Sequence, residues 1–277
     1  ISFAREAKIA LIEIDKNEIK KFKKFGKKID IPVNIDSLTF LEMLDKKIVK
    51  QNFPIKKKWA QHIDTWKKKF PILSKDNVNE KDLNPYFFFS SLGPKLSSKE
   101  LIYLDTGSTV AWAMQAFKFN GKQRVIHDFN NTAMGYALPA SIGGSFSNDN
   151  NRVSCIAGDG SLMMNVQELA TVSRYNLPIA IFVINNDGYS MVQQTQEQWL
   201  KGQYHATSYE GGLSFPNYRA LAKSFNIKYV LIEKNDQVRK GLSIVNKRKE
   251  PLIIELKIDR WQRVTPQSKF GYPIEDA

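Results

Sequence analysis

Apolar runs alternate with amphipathic segments along the chain from about residue 84 onward. The runs are short, rich in Ile and Val, and bounded by Gly, Asn or Asp, which is typical of buried strands. They predict strands at 101–107, 124–129, 152–160, 179–188, 227–232 and 251–258. The segments between them predict helices at 108–117, 133–146, 161–176, 215–226 and 235–247. Because these strands are apolar almost throughout, we expect an α/β fold with a parallel sheet flanked by helices on both faces.

The pattern before residue 84 is less regular and predicts two further regions. Residues 7–15 form an apolar run, and residues 36–48 carry leucines and an isoleucine at helical spacing. We interpret residues 1–48 as the last βα portion of a domain whose beginning lies outside this sequence. Residues 49–83 are highly charged and predict a connecting arm. The third region, residues 84–277, is then the main domain with a C-terminal tail.

Composition and charge narrow the class of protein. The 277 residues are 42% hydrophobic, which is enough for a sizeable core. A net charge of +13 is compatible with nucleic-acid binding, but the lysines are spread along the chain and favour a solvated surface. The single cysteine, Cys155, lies in an apolar run and predicts a reducing, cytoplasmic location. Uninterrupted apolar runs stay below about 18 residues, which argues against a membrane span.

Candidate chemistry lies where two consecutive predicted strands end. Asp159 stands between Gly158 and Gly160, and Asn186 follows 27 residues later. A strand-helix-strand unit takes about 30 residues, so both side chains should meet at one edge of the sheet. Their oxygens suit Mg²⁺, and the glycines with Ser161 open a helix N-terminus that attracts phosphate. The alternative is ordinary turn chemistry, in which Asn, Asp and Gly predominate.

Several motifs of the chain resemble one enzyme family. The residues "GDGS…NN", "DTGSTVAW" and "TAMGYALPASIGGSF" resemble motifs of the thiamine-diphosphate-dependent acetolactate synthase and pyruvate oxidase family. The stretch "NVQELATVSRYNLPIAIFVINNDGYSMVQQTQE" is similar to acetolactate synthase nearly residue by residue. Residues 84–260 resemble the whole domain that holds the cofactor diphosphate, and residues 1–48 resemble the C-terminal remnant of the family's Rossmann-like middle domain. The resemblance therefore implies a thiamine-diphosphate-binding fold.

The resemblance also implies roles for individual residues. Asp159 and Asn186 would bind Mg²⁺ through side-chain oxygens, and Gly188 through its backbone carbonyl. Met134 would support the bent cofactor and is the catalytic candidate of this chain. The remaining cofactor-binding candidates lie in three glycine-containing segments: Gly107, Ser108, Thr109, Gly158, Gly160, Ser161, Gly188 and Met191.

The resemblance implies a lyase or transferase that decarboxylates a 2-keto acid, with pyruvate as the first choice, and ligates the acyl unit to an acceptor. The family's activating glutamate belongs to an N-terminal domain, and no carboxylate of this sequence can be assigned that role. We therefore expect an inactive C-terminal half whose complete site is shared with another subunit of a homodimer or tetramer. Some members also bind FAD; residues 12–19 resemble a segment near that flavin, but most of the flavin site would lie outside this sequence.

The acceptor pocket departs from the family pattern. Many acetolactate synthases carry Trp in "M-V-x-Q-W", where this chain has Thr195, and Trp199 follows one helical turn later. These two residues are the candidates for the substrate pocket. The smaller side chain leaves a non-oxidative 2-keto acid decarboxylase or a carboligase acting on a sugar-linked ketone as alternatives. A basic domain that binds nucleic acid or polyphosphate without catalysis is the distant alternative.

Overall fold

The computed structural model describes residues 6–49, 56–147 and 152–267. It divides into two compact units, residues 1–70 with 266–277, and residues 71–265. The first unit contains β1 (Ala10–Ile12), α1 (Lys16–Lys24), β2 (Ile31–Val33), α2 (Ser37–Ile48) and α3 (Lys57–Lys69). Strands β1 and β2 pair in parallel, and α1 connects them. The predicted strand at 7–15 and the predicted helix at 36–48 are therefore both present.

Strand β2 was not expected from the sequence. It has three residues and contains Pro32, which lacks a backbone N–H and is tolerated only at strand ends and sheet edges. The region predicted as a connecting arm, 49–83, holds helix α3 in the first unit and α4 (Lys75–Asn79) in the second. The division into a domain remnant, an arm and a main domain stays a prediction.

The second unit is an α/β fold, as the apolar strands predict. After α4 its elements are α5 (Pro85–Leu92), β3 (Leu101–Leu104), α6 (Ser108–Ala116), β4 (Arg124–Ile126), α7 (Ala137–Phe146), β5 (Val153–Gly158), α8 (Asp159–Met164), α9 (Leu169–Arg174), β6 (Ile179–Asn185), α10 (Ser190–Trp199), α11 (Tyr218–Ser224), β7 (Lys228–Ile232), α12 (Val238–Val245) and β8 (Leu252–Lys257). Six strands form one sheet in the order β4-β3-β5-β6-β8-β7, and every pair is parallel.

Two hydrophobic cores cover the two faces of this sheet. Alternate residues of β6 serve opposite cores: Phe182 and Ile184 belong to one, and Ile181 and Val183 to the other. Helices α5, α6 and α12 pack on the first face, and α7, α9 and α11 pack on the second. A strand buried on both faces has no polar side, which explains its unbroken apolar sequence.

One predicted helix is interrupted. The sequence predicts a single helix over 161–176, but the structure has α8, a short 3₁₀ turn and α9. The break lies at Asn165, whose backbone leaves the helical conformation and whose Nδ2 donates to the carbonyl oxygen of Gly135 at 2.8 Å. This contact joins residues that are 30 positions apart, so the local spacing of apolar residues could not predict it.

No helix in the described part of the chain combines the length and apolar character needed to cross a membrane.

Candidate functional site

A cavity of about 200 Å³ lies at the carboxyl ends of β3, β5 and β6. The predicted cofactor- and metal-binding residues all line it: Gly107, Ser108, Thr109, Met134, Gly158, Asp159, Gly160, Ser161, Asn186, Gly188 and Met191. Strands β5 and β6 are neighbours, so the two ends that carry Asp159 and Asn186 meet. The fold thus brings together the residues that the sequence singled out, as expected for parallel sheets. Their roles stay a prediction.

Asp159 is the only cavity-lining carboxylate in the described part of the chain and is almost fully buried. Its Oδ2 accepts hydrogen bonds from the backbone N–H of Asn186 at 3.1 Å and of Gly188 at 3.2 Å. Its Oδ1 accepts one from the N–H of Gly160 at 2.7 Å. Burial raises the pKa of this carboxyl to about 7, although the three N–H donors act to lower it. A bound cation would offset the cost of keeping this charge buried.

Three helices begin at the cavity, and none is capped by the side chain of its N-cap residue; in α8 the N–H of Gly160 donates instead to Oδ1 of Asp159. The N-cap residues of α6, α8 and α10 are Gly107, Gly158 and Tyr189, and no side chain of theirs accepts from the first turn. Elsewhere in this unit Asn84 caps α5 and Asn217 caps α11, whereas α7, α9 and α12 also begin without a side-chain cap. What distinguishes α6, α8 and α10 is that their starts line one cavity. The first N–H groups of a helix have no partner within it and carry partial positive charge. Three such ends around one cavity make a suitable place for an anionic group.

Two glycines are required by local geometry. Gly107 has φ +80° and ψ −149°, a conformation that is essentially restricted to glycine. At Gly160 a Cβ atom would lie 2.0 Å from Cε1 of Tyr189, so only glycine allows this ring to pack against the start of α8. The glycine after Asp159 therefore serves a close contact between two cavity walls, in addition to any turn chemistry.

Two polar atoms at the cavity are buried without a partner in the described structure. They are Nδ2 of Asn186 and Oγ of Ser108, and both residues line the cavity. A buried polar group without a hydrogen bond is costly, so such atoms commonly mark a place where a ligand or water binds. Both suit the expected group: rotation of the Asn186 carboxamide presents its oxygen to a cation, and the Ser108 hydroxyl can donate to a phosphate.

The segment that carries Met134 is held by a residue that sequence reasoning missed. Asp105 is fully buried just after β3, and it accepts from the N–H groups of Gly135 at 3.1 Å and Ala137 at 2.9 Å. Met134 is 38% exposed and lines the cavity. The position of Asp105, at the end of a buried strand, was the available signal. It is the same signal that drew attention to Asp159.

The predicted substrate-pocket residues lie apart from the cavity lining. Thr195 and Trp199 are both exposed on α10, on the face that also carries Val192. Val192 lines the cavity and is 43% exposed, so this face continues outward from the cavity mouth. Tyr189, at the start of α10, also lines the cavity and was not singled out from the sequence.

The described residues contain no group of three or more His, Cys, Asp or Glu side chains that could hold a metal ion. A cation at this cavity would therefore have one carboxylate, the amide of Asn186 and backbone carbonyls as protein ligands. Mg²⁺ tolerates such a sparse set because it commonly binds through one or two carboxylates together with phosphate oxygens and water.

Fold and cavity together define a parallel α/β domain that can take an anionic group beside a buried carboxylate. The family model "Thiamine pyrophosphate enzyme, C-terminal TPP binding domain" matches residues 105–256, which contain the whole cavity lining. The chain belongs to this family, so its cofactor is thiamine pyrophosphate, also called thiamine diphosphate.

Curated relatives agree with this assignment. Acetolactate synthase 1, chloroplastic, of Zea mays is 29% identical over 280 residues, which cover 99% of this chain and 43% of that protein. The acetolactate synthase large subunit of Parasynechococcus marenigrum is 29% identical over 271 residues, which cover 98% of this chain and 42% of that protein. Acetolactate synthase isozyme 1 large subunit of Escherichia coli is 26% identical over 269 residues, which cover 97% of this chain and 46% of that protein. The chain thus spans less than half the length of these relatives.

Proposed function

We propose that this chain is the diphosphate- and metal-binding half of an enzyme of acetolactate synthase type. The enzyme decarboxylates a 2-keto acid, pyruvate in the first instance, and ligates the acyl unit to an acceptor. The observation that carries this proposal is the set of three uncapped helix N-termini around a cavity that also holds a buried carboxylate and two unpartnered polar atoms. The reaction type follows from the similarity of this chain to acetolactate synthases.

In this proposal Mg²⁺ joins the protein to the diphosphate. Asp159, the carboxamide oxygen of Asn186 and the carbonyl oxygen of Gly188 bind the cation. The starts of α6, α8 and α10 would hold the diphosphate, with their backbone N–H groups and the Ser108 hydroxyl as the hydrogen-bond donors that this chain offers. Without the cation, a diphosphate beside the buried Asp159 would bring like charges together, so metal and cofactor should bind jointly.

The other residues of this chain hold and shape the cofactor. Met134 supports it from below, since a thioether side chain adapts to an irregular surface. Asp105 keeps this segment in place through its two backbone hydrogen bonds. Bound thiamine diphosphate supplies the carbanion chemistry by which a 2-keto acid loses CO₂ and its acyl unit is passed on, while the protein provides orientation, charge and exclusion of water.

The complete site needs more than this chain. A cavity of about 200 Å³ is smaller than the roughly 300–1,000 Å³ of typical ligand pockets. We propose that the domain carrying the activating glutamate closes the site from another subunit of a homodimer or tetramer. The single buried cysteine supports a reducing compartment such as the cytoplasm.

The identity of the acceptor depends on α10. Thr195 is a small residue on the exposed face beside the cavity, and this supports an acceptor larger than a second pyruvate. A carboligase that uses a sugar-linked ketone is the second candidate for this reason.

The proposal is tested in the full-length enzyme by calorimetric titration with thiamine diphosphate, with and without Mg²⁺. Asp159→Ala is expected to abolish Mg²⁺-dependent binding. Thr171→Ala, which removes a hydrogen bond to Glu168 outside the cavity lining, is the control and should bind normally. Unchanged affinity of Asp159→Ala would refute the metal assignment. Product analysis with pyruvate and a panel of acceptors then identifies the reaction.

A further inference from the structure

Glu255 is a carboxylate in β8, a strand that is otherwise apolar up to its last residue, Lys257, and it is 9% exposed. Both of its oxygens are hydrogen-bonded by neighbouring strands. Oε1 accepts from Nδ2 of Asn185, the last residue of β6, at 2.7 Å. Oε2 accepts from the hydroxyl of Tyr229 on β7 at 2.5 Å. Glu255 also lines a polar cleft together with Asn185, Asp187 and Tyr229. A carboxylate with so little exposure is costly unless both oxygens are satisfied, so these two hydrogen bonds are needed to hold it there.

Asn185 connects this carboxylate to the turn beside the cavity. While its Nδ2 donates to Glu255, its Oδ1 accepts from the N–H of Asp187 at 3.1 Å. Because the Glu255 oxygen accepts from the Asn185 amide nitrogen, the carboxamide oxygen of Asn185 faces the turn. Asp187 has φ +54°, so the turn is one that needs such local support.

The turn itself presents two groups to Asp159. The N–H groups of Asn186 and Gly188 donate to Asp159 Oδ2 at 3.1 and 3.2 Å. The Asn186 side chain and the Gly188 carbonyl, the proposed metal ligands, lie in the same turn. A chain of hydrogen bonds therefore runs from Tyr229 on the edge strand, through Glu255 and Asn185, to the turn that carries Asn186 and Gly188. The bond between Glu255 and Asn185 is buried, and the bonds of Tyr229 and Asp187 are partly buried.

We propose that Glu255 and Asn185 are positioning residues for the metal: they hold the 185–188 turn in the conformation that presents Asn186 and Gly188 to the cation. This inference rests on the proposed function, since it assumes that the cation binds at this turn. Neither residue contacts the cation. Removing such outer partners of metal ligands typically lowers metal affinity about 10–100-fold.

The test uses the full-length enzyme with saturating thiamine diphosphate and Mn²⁺ as the probe, with free Mn²⁺ measured by electron paramagnetic resonance. Glu255→Leu should raise the Kd for Mn²⁺ about 10–100-fold. Glu255→Gln should stay within about threefold of wild type, because its amide oxygen still accepts from Asn185 and its amide N–H₂ can donate to the Tyr229 oxygen. If Glu255→Gln binds Mn²⁺ with nearly wild-type affinity, the hydrogen bonds of residue 255, rather than its charge, support the metal site.

A destabilising control separates positioning from general damage. Ile253→Val removes a methylene from the same face of the same strand, at a fully buried position that pairs with Ile181 in the middle of β6. It should lower the thermal midpoint of the metal-free enzyme and leave the Kd for Mn²⁺ unchanged. If Ile253→Val weakens Mn²⁺ binding as much as Glu255→Leu does, or if Glu255→Leu binds Mn²⁺ like wild type, the inference is wrong.

Two further variants keep the result decisive. If Glu255→Leu does not fold, Asn185→Ala replaces it, with the same expected loss of affinity, and an unchanged Kd would again show the inference to be wrong. Asp159→Ala separates the two proposals. If Asp159→Ala binds Mn²⁺ like wild type, the proposed function itself fails. If it loses binding while the Glu255 and Asn185 variants retain it, only the positioning inference fails.

Discussion

Replacing Arg248 by Met should strongly destabilise the protein without altering the cofactor cavity. The guanidinium of Arg248 and the carboxylate of Glu100 form an ion pair at 2.5 Å, with side-chain exposures of 2% and 0%. The same guanidinium donates to the carbonyl oxygens of Pro178 at 2.8 Å, Val245 at 2.9 Å and Val153 at 2.8 Å. It thus links the start of β5, the segment before β6 and the end of α12. These groups lie at the amino ends of the strands, whereas the cavity lies at the carboxyl ends.

The magnitude follows from what Arg248→Met leaves behind. Removing one partner of a buried ion pair costs about 3–5 kcal/mol, because the remaining charge stays buried without a counterion. The three carbonyls lose donors as well, and a lost hydrogen bond contributes on the order of 1 kcal/mol. Since these terms are not additive, we expect a total of about 4–6 kcal/mol, a large share of a typical stability of about 5–15 kcal/mol.

Urea unfolding followed by circular dichroism measures this loss. A double variant, Glu100→Leu with Arg248→Met, removes both charges and should be more stable than Arg248→Met alone, because buried ion pairs can be replaced by apolar residues at little cost. The reasoning is refuted if Arg248→Met costs less than about 1 kcal/mol, the upper value for an exposed ion pair. It is equally refuted if the double variant is less stable than both single ones.

Three other substitutions examine the cavity walls and the exposed face of α10 beside them. Gly107→Ala should cost about 1–3 kcal/mol in stability, because its φ and ψ are restricted to glycine, and calorimetry should show weaker binding of thiamine diphosphate. Gly160→Ala should cost about 1–3 kcal/mol in stability, because the new methyl group overpacks against Tyr189. Adding Tyr189→Ala should relieve this overpacking and raise the thermal midpoint above that of Gly160→Ala alone. A double variant with a lower midpoint than Gly160→Ala would contradict this contact. Thr195→Trp should lower kcat/KM for large acceptors relative to pyruvate, and an unchanged ratio in competition assays means that this face of α10 does not contact the acceptor.

The sheet and the cavity were predictable because both follow from the strands. Each strand of the large sheet is recognisable as an apolar run, and parallel strands place their carboxyl ends at one edge. Asp159 and Asn186 therefore had to meet if β5 and β6 were neighbours, and they are. The uncapped starts of α6 and α8 also follow from the glycines that precede them.

The elements that sequence reasoning missed depend on contacts between distant residues. Helix α10 contains a run of glutamines with little apolar spacing, and several of them are buried by bonds to distant carbonyls, as when Gln194 donates to Val264. The break at Asn165 depends on Gly135. Asp105 and Glu255 have roles only through partners on other strands or segments. The local periodicity of apolar residues cannot predict such pairs.

The most direct test of the account is the position of the cation. Crystals of the full-length enzyme grown with thiamine diphosphate and Mn²⁺ would give an anomalous signal at the metal. We expect one peak at the carboxyl ends of β5 and β6, directly coordinated by Asp159, the Asn186 carboxamide oxygen and the Gly188 carbonyl oxygen. A cation bound elsewhere, with Asp159 still bonded only to backbone N–H groups, would contradict it.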